Sequence, residues 1–347
     1  MGRVLFGVMG DAWGHISQAL AVADALPHHE FLFVGGGRTR SLRQLGYRVV
    51  EVPTMRTFYR SHRVDLGRTI WNGSKTLLGR RRIVERVSRL IQDFRPDLIL
   101  TAYEYFTPLA ARRLGVPCLS LDNHHAVTKC ACPRPKGQLL SRMLYLLPLR
   151  FLYSHADRFL ISAFYPLAPL NPADTEVFPP VLRKAVLNTA PIPGDHVVVY
   201  QTSPTFHHLV QVLLQMDHTF FIYGFGEREP HRNLVYKGVS QTSFLEDVAS
   251  CRYVITNGGH NLIAEALYYG KPVFALPIRL AYEQFFNAHM LQSLGYGRFS
   301  LEADLEVDVL QRFEACLDQY GSRIAAGEFC GNGKLAARVE QFLSDCT

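Results

Sequence analysis

The 347-residue sequence predicts an α/β protein built from two doubly wound, parallel-sheet domains that face each other across a cleft. Three observations predict it. Short apolar runs alternate with stretches of helical periodicity along most of the chain. The alternation comes as two series, separated by a proline-rich stretch. The chain is also longer than one hydrophobic core usually supports.

In the first series, residues 3–9 read as an apolar strand, 10–14 as a turn and 16–26 as a helix. Strands follow at 30–34 and 49–52, with a helix at 38–45 between them. A basic helix at 80–94 leads through Arg95-Pro96 into a strand at 97–101, a helix at 107–114 and a strand at 117–121. This is a first domain over 1–170. Five prolines between 172 and 193 then mark a linker over 171–194. The second series, over 195–347, has strands at 196–201, 219–223, 235–237, 253–256 and 273–276, with helices at 206–215, 244–250 and 261–269. Helices near 307–319 and 333–344 close this domain, the last one expected to pack back on the first. Ligands of such sheets bind beyond the carboxyl ends of the strands.

Hydrophobic residues make up 48% and charged residues 19%, which excludes a disordered chain. No apolar run approaches the roughly 20 residues that span a bilayer. The opening MGRVLFGVMG is a strand entering a loop and not a signal peptide. Seven scattered cysteines show no disulfide framework, so the expectation is a reduced, cytoplasmic protein. Charge is uneven. Residues 1–170 hold 24 Lys and Arg against 11 Asp and Glu, whereas the remainder is net acidic. The first half therefore meets something anionic, or simply carries a solvated arginine face.

The densest motif is VITNGGHNLIAEALYYGKPVFALPIRLAYEQFFNA, residues 254–288. A strand runs into Asn257-Gly258-Gly259, and a helix opens at His260-Asn261. Free N–H groups and the positive helix end suit a pyrophosphate there, and glycines let backbone approach it. Glu265, four residues after Asn261, shares its helix face and can accept from ribose hydroxyls.

The stretch resembles the donor-binding signature of the UDP-glycosyltransferase superfamily: a strand, then His-x-Gly-x-Asn-x-x-x-Glu, a Gly-x-Pro turn and an acidic-Gln pair followed by Asn-Ala. The resemblance implies the GT-B plan, two Rossmann-like doubly wound domains facing across a cleft, and a UDP- or dTDP-linked sugar as co-substrate with no other cofactor and no metal. It implies that Gly259 and Asn261 contact the diphosphate, Glu265 the ribose, and Glu283 with Gln284 the sugar hydroxyls. The family's histidine is Asn257 here. The spacing from Pro277 to Glu283 is nearer that of bacterial peptidoglycan N-acetylglucosaminyltransferases. Residues 242–248, with Phe244, resemble the uracil-cradling segment of those enzymes. Thr202 and Ser203 end a strand before a helix, where they either meet phosphate or cap the helix.

Transfer to a hydroxyl needs a general base, and histidine suits the role. In VMGDAWGH the residue His15 stands where the same superfamily carries an N-terminal Gly-His. Asp122, in LDNHH, is its expected orienting carboxylate, with Asp11 as the competing partner. Trp13, Glu104, Asn123 and His124 are the acceptor-side candidates. His124-His125 before Cys130-x-Cys132 has weak zinc-like spacing, and no metal is assigned to it. Residues 56–95 and 138–153 offer basic and apolar surface for an anionic membrane, or a core helix in the second case. Pro148 argues against one unbroken helix there. The expected acceptor is a lipid, a glycan or a small molecule, with nucleic acid the weaker partner. A nucleotide-sugar 2-epimerase, or a binding protein on the same fold, are the alternatives.

Overall fold

The alternation in the sequence becomes two parallel sheets in the computed structural model, which describes residues 1–202, 204, 206–238 and 241–345. The first sheet uses β1 (Arg3–Val8), β2 (Glu30–Val34), β3 (Arg48–Val50), β4 (Leu98–Ala102), β5 (Cys118–Asp122), β6 (Arg158–Ser162) and β7 (Thr175–Phe178). Their spatial order is β7-β6-β5-β4-β1-β2-β3. The second uses β8 (Val197–Tyr200), β9 (Phe220–Tyr223), β10 (Leu234–Tyr236), β11 (Val254–Thr256), β12 (Val273–Ala275) and β13 (Gly297–Phe299), in the order β10-β9-β8-β11-β12-β13. Central strands such as LILTA are buried along their whole length, because helices cover both faces.

Each sheet reverses its winding once. In the first, β1 leads to β2 on one side while β4 lies on the other, so the switch point falls between the ends of β1 and β4. In the second it falls between β8 and β11. Loops part at such points and leave a crevice.

The helices that matter for the site are α1 (Trp13–Ala25), α2 (Leu66–Leu78), α3 (Arg80–Phe94), α4 (Phe106–Leu114), α5 (Leu139–Phe151), α6 (His260–Tyr268), α7 (Tyr282–Ser293) and α8 (Asn332–Asp345). The last, α8, inserts Leu335, Val339 and Leu343 into the core beneath the first sheet. Arg338 on α8 grips Glu176 of β7 at 2.6 Å. A small hairpin, Tyr59–Arg60 and Arg63–Val64, reaches the other way. Val64 N–H donates to the Arg279 carbonyl and Arg279 N–H to the His62 carbonyl, each at 3.0 Å.

Several elements differ from the sequence expectation, among them α2, α7 and β13, where none was expected. The proline-rich stretch holds β7, an edge strand where its prolines interrupt nothing. β6, RFLIS, is a buried strand where none was expected. Finally, α5 continues past Pro148, which lies one turn from the helix end, so little of the hydrogen-bond ladder is lost.

Candidate active site

The two switch points face each other. α1 starts at the end of β1 and α6 at the end of β11, and they touch. A Cβ on Gly14 would stand 2.7 Å from Asn261 Nδ2, so glycine is what permits this approach. Gly258, at φ +90, turns the chain beneath α6; a Cβ there would lie 2.7 Å from the Gln284 carbonyl. Gly259 is the N-cap and leaves open space above the helix end.

His15, in the first turn of α1, lies 5.7 Å from the Tyr103 ring and 5.2 Å from the His124 ring. Desolvation, and then neighbouring His124, push its pKa down to about 3, against the pull of Glu283 and Asp122. The imidazole is therefore neutral at ordinary pH, with one ring nitrogen unprotonated. His124 stacks on Tyr103 at 4.1 Å and shares a 2.7 Å hydrogen bond with Tyr145. Burial lowers its pKa to about 4. Tyr103 has φ +54, a strained backbone for a tyrosine, at the end of β4.

Asn123 donates to Glu283 Oε1 at 3.2 Å across the cleft, and Asn287 donates to the same oxygen at 2.8 Å. Gln284 is buried and accepts from Ile278 N–H at 3.0 Å. Asn257 accepts from Thr202 N–H at 2.7 Å and donates to Gln201 at 2.7 Å, so it ties together the loops after β8 and β11. His260 is buried, its Nδ1 3.3 Å from Asn261 Oδ1 and its Nε2 unpartnered. Burial lowers its pKa to about 4. Glu265 is buried on α6 and forms an ion pair with Arg183 at 3.1 Å. Ser203 lies outside the described residues.

A model of glycosyl transferase family 1 matches residues 2–317. The chain belongs to glycosyl transferase family 1. It is a glycosyltransferase, and its two facing parallel sheets are the GT-B fold. An uncharacterized glycosyltransferase of Methanosarcina mazei is 26% identical over 339 residues, covering 85% of each chain. A UDP-N-acetylglucosamine–N-acetylmuramyl-(pentapeptide) pyrophosphoryl-undecaprenol N-acetylglucosamine transferase of Limosilactobacillus fermentum is 33% identical over 128 residues, 34% of this chain and 33% of that one. Among solved structures, the spinosyn forosaminyltransferase SpnP superposes with TM-score 0.69 at 16% identity, over 99% of both chains, a likeness of fold.

Four expected site residues have other partners. Asp122 binds His125 rather than His15: its oxygens lie 2.8 and 3.0 Å from His125 Nδ1, and Ser120 donates to it at 2.7 Å. Burial pushes the Asp122 carboxyl up, but the charge and hydrogen bonds of His125 outweigh this and hold it well below the usual range. A β-strand end fixes side-chain direction by parity, which a position in sequence does not show. Asp11 accepts from Thr57 N–H at 2.7 Å and pairs with Arg56 at 3.5 Å. Glu104 is buried and caps α4, accepting from Phe106 N–H at 3.0 Å and Thr107 N–H at 2.7 Å. Phe244 fills core between Tyr200 and Tyr223. Cys132 Sγ lies 3.2 Å from the Ala126 carbonyl, directed to backbone and not to the histidines. Tyr103, Tyr145, Asn287 and Arg183 join the constellation unannounced by any sequence signal except the Asn-Ala after Gln284.

Proposed function

We propose that the chain moves a sugar from a UDP- or dTDP-linked donor to a hydroxyl of an acceptor held by the first domain, by inverting displacement and without a catalytic metal. One observation carries this reading: Gly14, the residue before His15 at the first switch point, packs against Asn261 at the second, and the charge of Glu283 acts on His15. The acceptor hydroxyl gives its proton to a ring nitrogen of His15 as its oxygen bonds the anomeric carbon. The bond to the diphosphate breaks, and that electron pair leaves with the nucleotide. The N-terminus of α6 balances its charge. Glu265 takes the ribose, oriented by Arg183, while Glu283 and Gln284 hold the sugar. Asn123 and His124, beside His15, position the acceptor.

The acceptor is proposed to be a lipid, glycan or other small molecule, met at the cytoplasmic face of a membrane. Leu139, Leu140, Met143, Leu147 and Phe151 of α5 are exposed on one side, with Arg142 and Arg150 among them. Such a face suits an anionic bilayer surface. Among the described residues, no helix is long and apolar enough to cross one.

The test is binding and turnover of a panel of nucleotide sugars by wild type and Glu265→Ala. Selective binding of one UDP- or dTDP-sugar, lost in the variant, supports the donor site; no binding by any of them overturns it. Formation of an epimer without acceptor would favour an isomerase instead.

A further inference from the structure

At the carboxyl ends of β1, β2 and β3 the first domain holds a cavity of about 720 Å³, and none of the donor residues lines it. Its floor is backbone. Gly10 and Gly36 stand so close that a Cβ on Gly10 would collide with the Gly36 carbonyl. Three arginines, Arg38, Arg40 and Arg56, line the walls. Two already have a carboxylate partner: Arg56 pairs with Asp11 at 3.5 Å, and Arg40 with Glu51 at 3.7 Å. Glu51 also holds Arg43 at 3.0 Å. Arg38 differs. Its guanidinium lies over the Trp13 ring at 5.0 Å, and among the described residues no carboxylate comes within ion-pair distance of it, although its charge does act on Asp11 in the same cavity.

The indole keeps this guanidinium in the cavity, with its N–H edge unspent. The charge also acts on Tyr200, at the end of β8 in the second sheet. Trp13 precedes His15 by two residues in the first turn of the same helix.

We infer that this cavity binds an anionic group of the acceptor, a phosphate or a carboxylate, through Arg38 held on Trp13. A fork of parallel N–H donors matches either anion, and a backbone floor admits it closely. The inference rests on the proposed transfer reaction and names the class of acceptor it takes.

The experiment reads Trp13 fluorescence in a Trp71→Phe background, since the chain has two tryptophans. Octyl phosphate, inorganic phosphate and octyl glucoside are the probes, and binding of the selected nucleotide sugar is measured alongside. Octyl phosphate should bind saturably and octyl glucoside should not, with Arg38→Gln weakening octyl phosphate by about tenfold or more. Arg38→Lys, which keeps charge without the fork, should lie between. Tighter binding of octyl phosphate than of inorganic phosphate points to a lipid-like source, and equal binding to a soluble phosphate; either supports the site. Equal binding of octyl glucoside, or unchanged affinity in Arg38→Gln, overturns it. Donor binding that survives such a result leaves the transfer reaction standing. Anion binding with no donor binding removes the transfer reaction instead.

Discussion

His15, His124 and His260 are three imidazoles held neutral by burial, with pKa values of about 3, 4 and 4. In acid the unfolded chain takes up protons near the ordinary 6.5 while the folded chain resists. Stability should therefore be complete above 6.5 and fall as pH drops towards these folded values, checked as melting temperature against pH. Asp122, whose pKa is also lowered, withdraws its contribution only in stronger acid, below 3.8. For the same reason, kcat/KM should show no limb near 6.5 in its pH profile. The proposed base predicts that His15→Ala lowers kcat by about 10²- to 10⁴-fold. Donor affinity, measured by titration, should barely change. Asp122→Asn acts differently, because it breaks a buried pair with His125 and Ser120. It should cost about 2 kcal/mol or more of stability in urea unfolding.

The turn between β11 and α6 is the element on which the proposed donor site depends. Gly258→Ala would place a side chain at φ +90 against the Gln284 carbonyl, at a cost of about 2 kcal/mol by denaturant titration. Gly14→Ala meets only the end of the Asn261 side chain, which can swing aside. That variant should keep its stability and lose donor affinity. The exposed face of α5 makes a separate prediction. Replacing Leu147 and Phe151 by Glu should abolish sedimentation with phosphatidylglycerol vesicles and leave donor binding intact.

For the whole molecule, the two halves are tied at several places. The hairpin at 59–64 bonds to Arg279, Asn123 to Glu283, and α8 crosses back to the first domain. His28 and His29 hold Glu340 of α8 at 2.7 and 2.9 Å. Removing α8 exposes the pockets of Leu335, Val339 and Leu343, and at roughly 1.5 kcal/mol or more for each buried side chain should cost about 5 kcal/mol. The unfolding midpoint of a chain ending at 331 measures this.

The fold class was legible in the sequence because apolar runs buried on both faces and amphipathic helices have different periods, and two series of them imply two sheets. The same local chemistry marked Gly258, Gly259 and Asn261 at a strand-to-helix turn. Local pattern could not assign partners. Asp122 ends β5 and His15 lies in the first turn of α1, yet the parity of β5 turns Asp122 to His125, and Glu104 turns back to its own helix. Arg183, Tyr145 and the stacking of Arg38 on Trp13 carry no motif at all. Sequence by itself determined which elements form and where their polar ends emerge. Tertiary structure alone decided which side chains share a proton, a carboxylate or a cavity, since those pairings join residues far apart in the chain through the packing of two sheets.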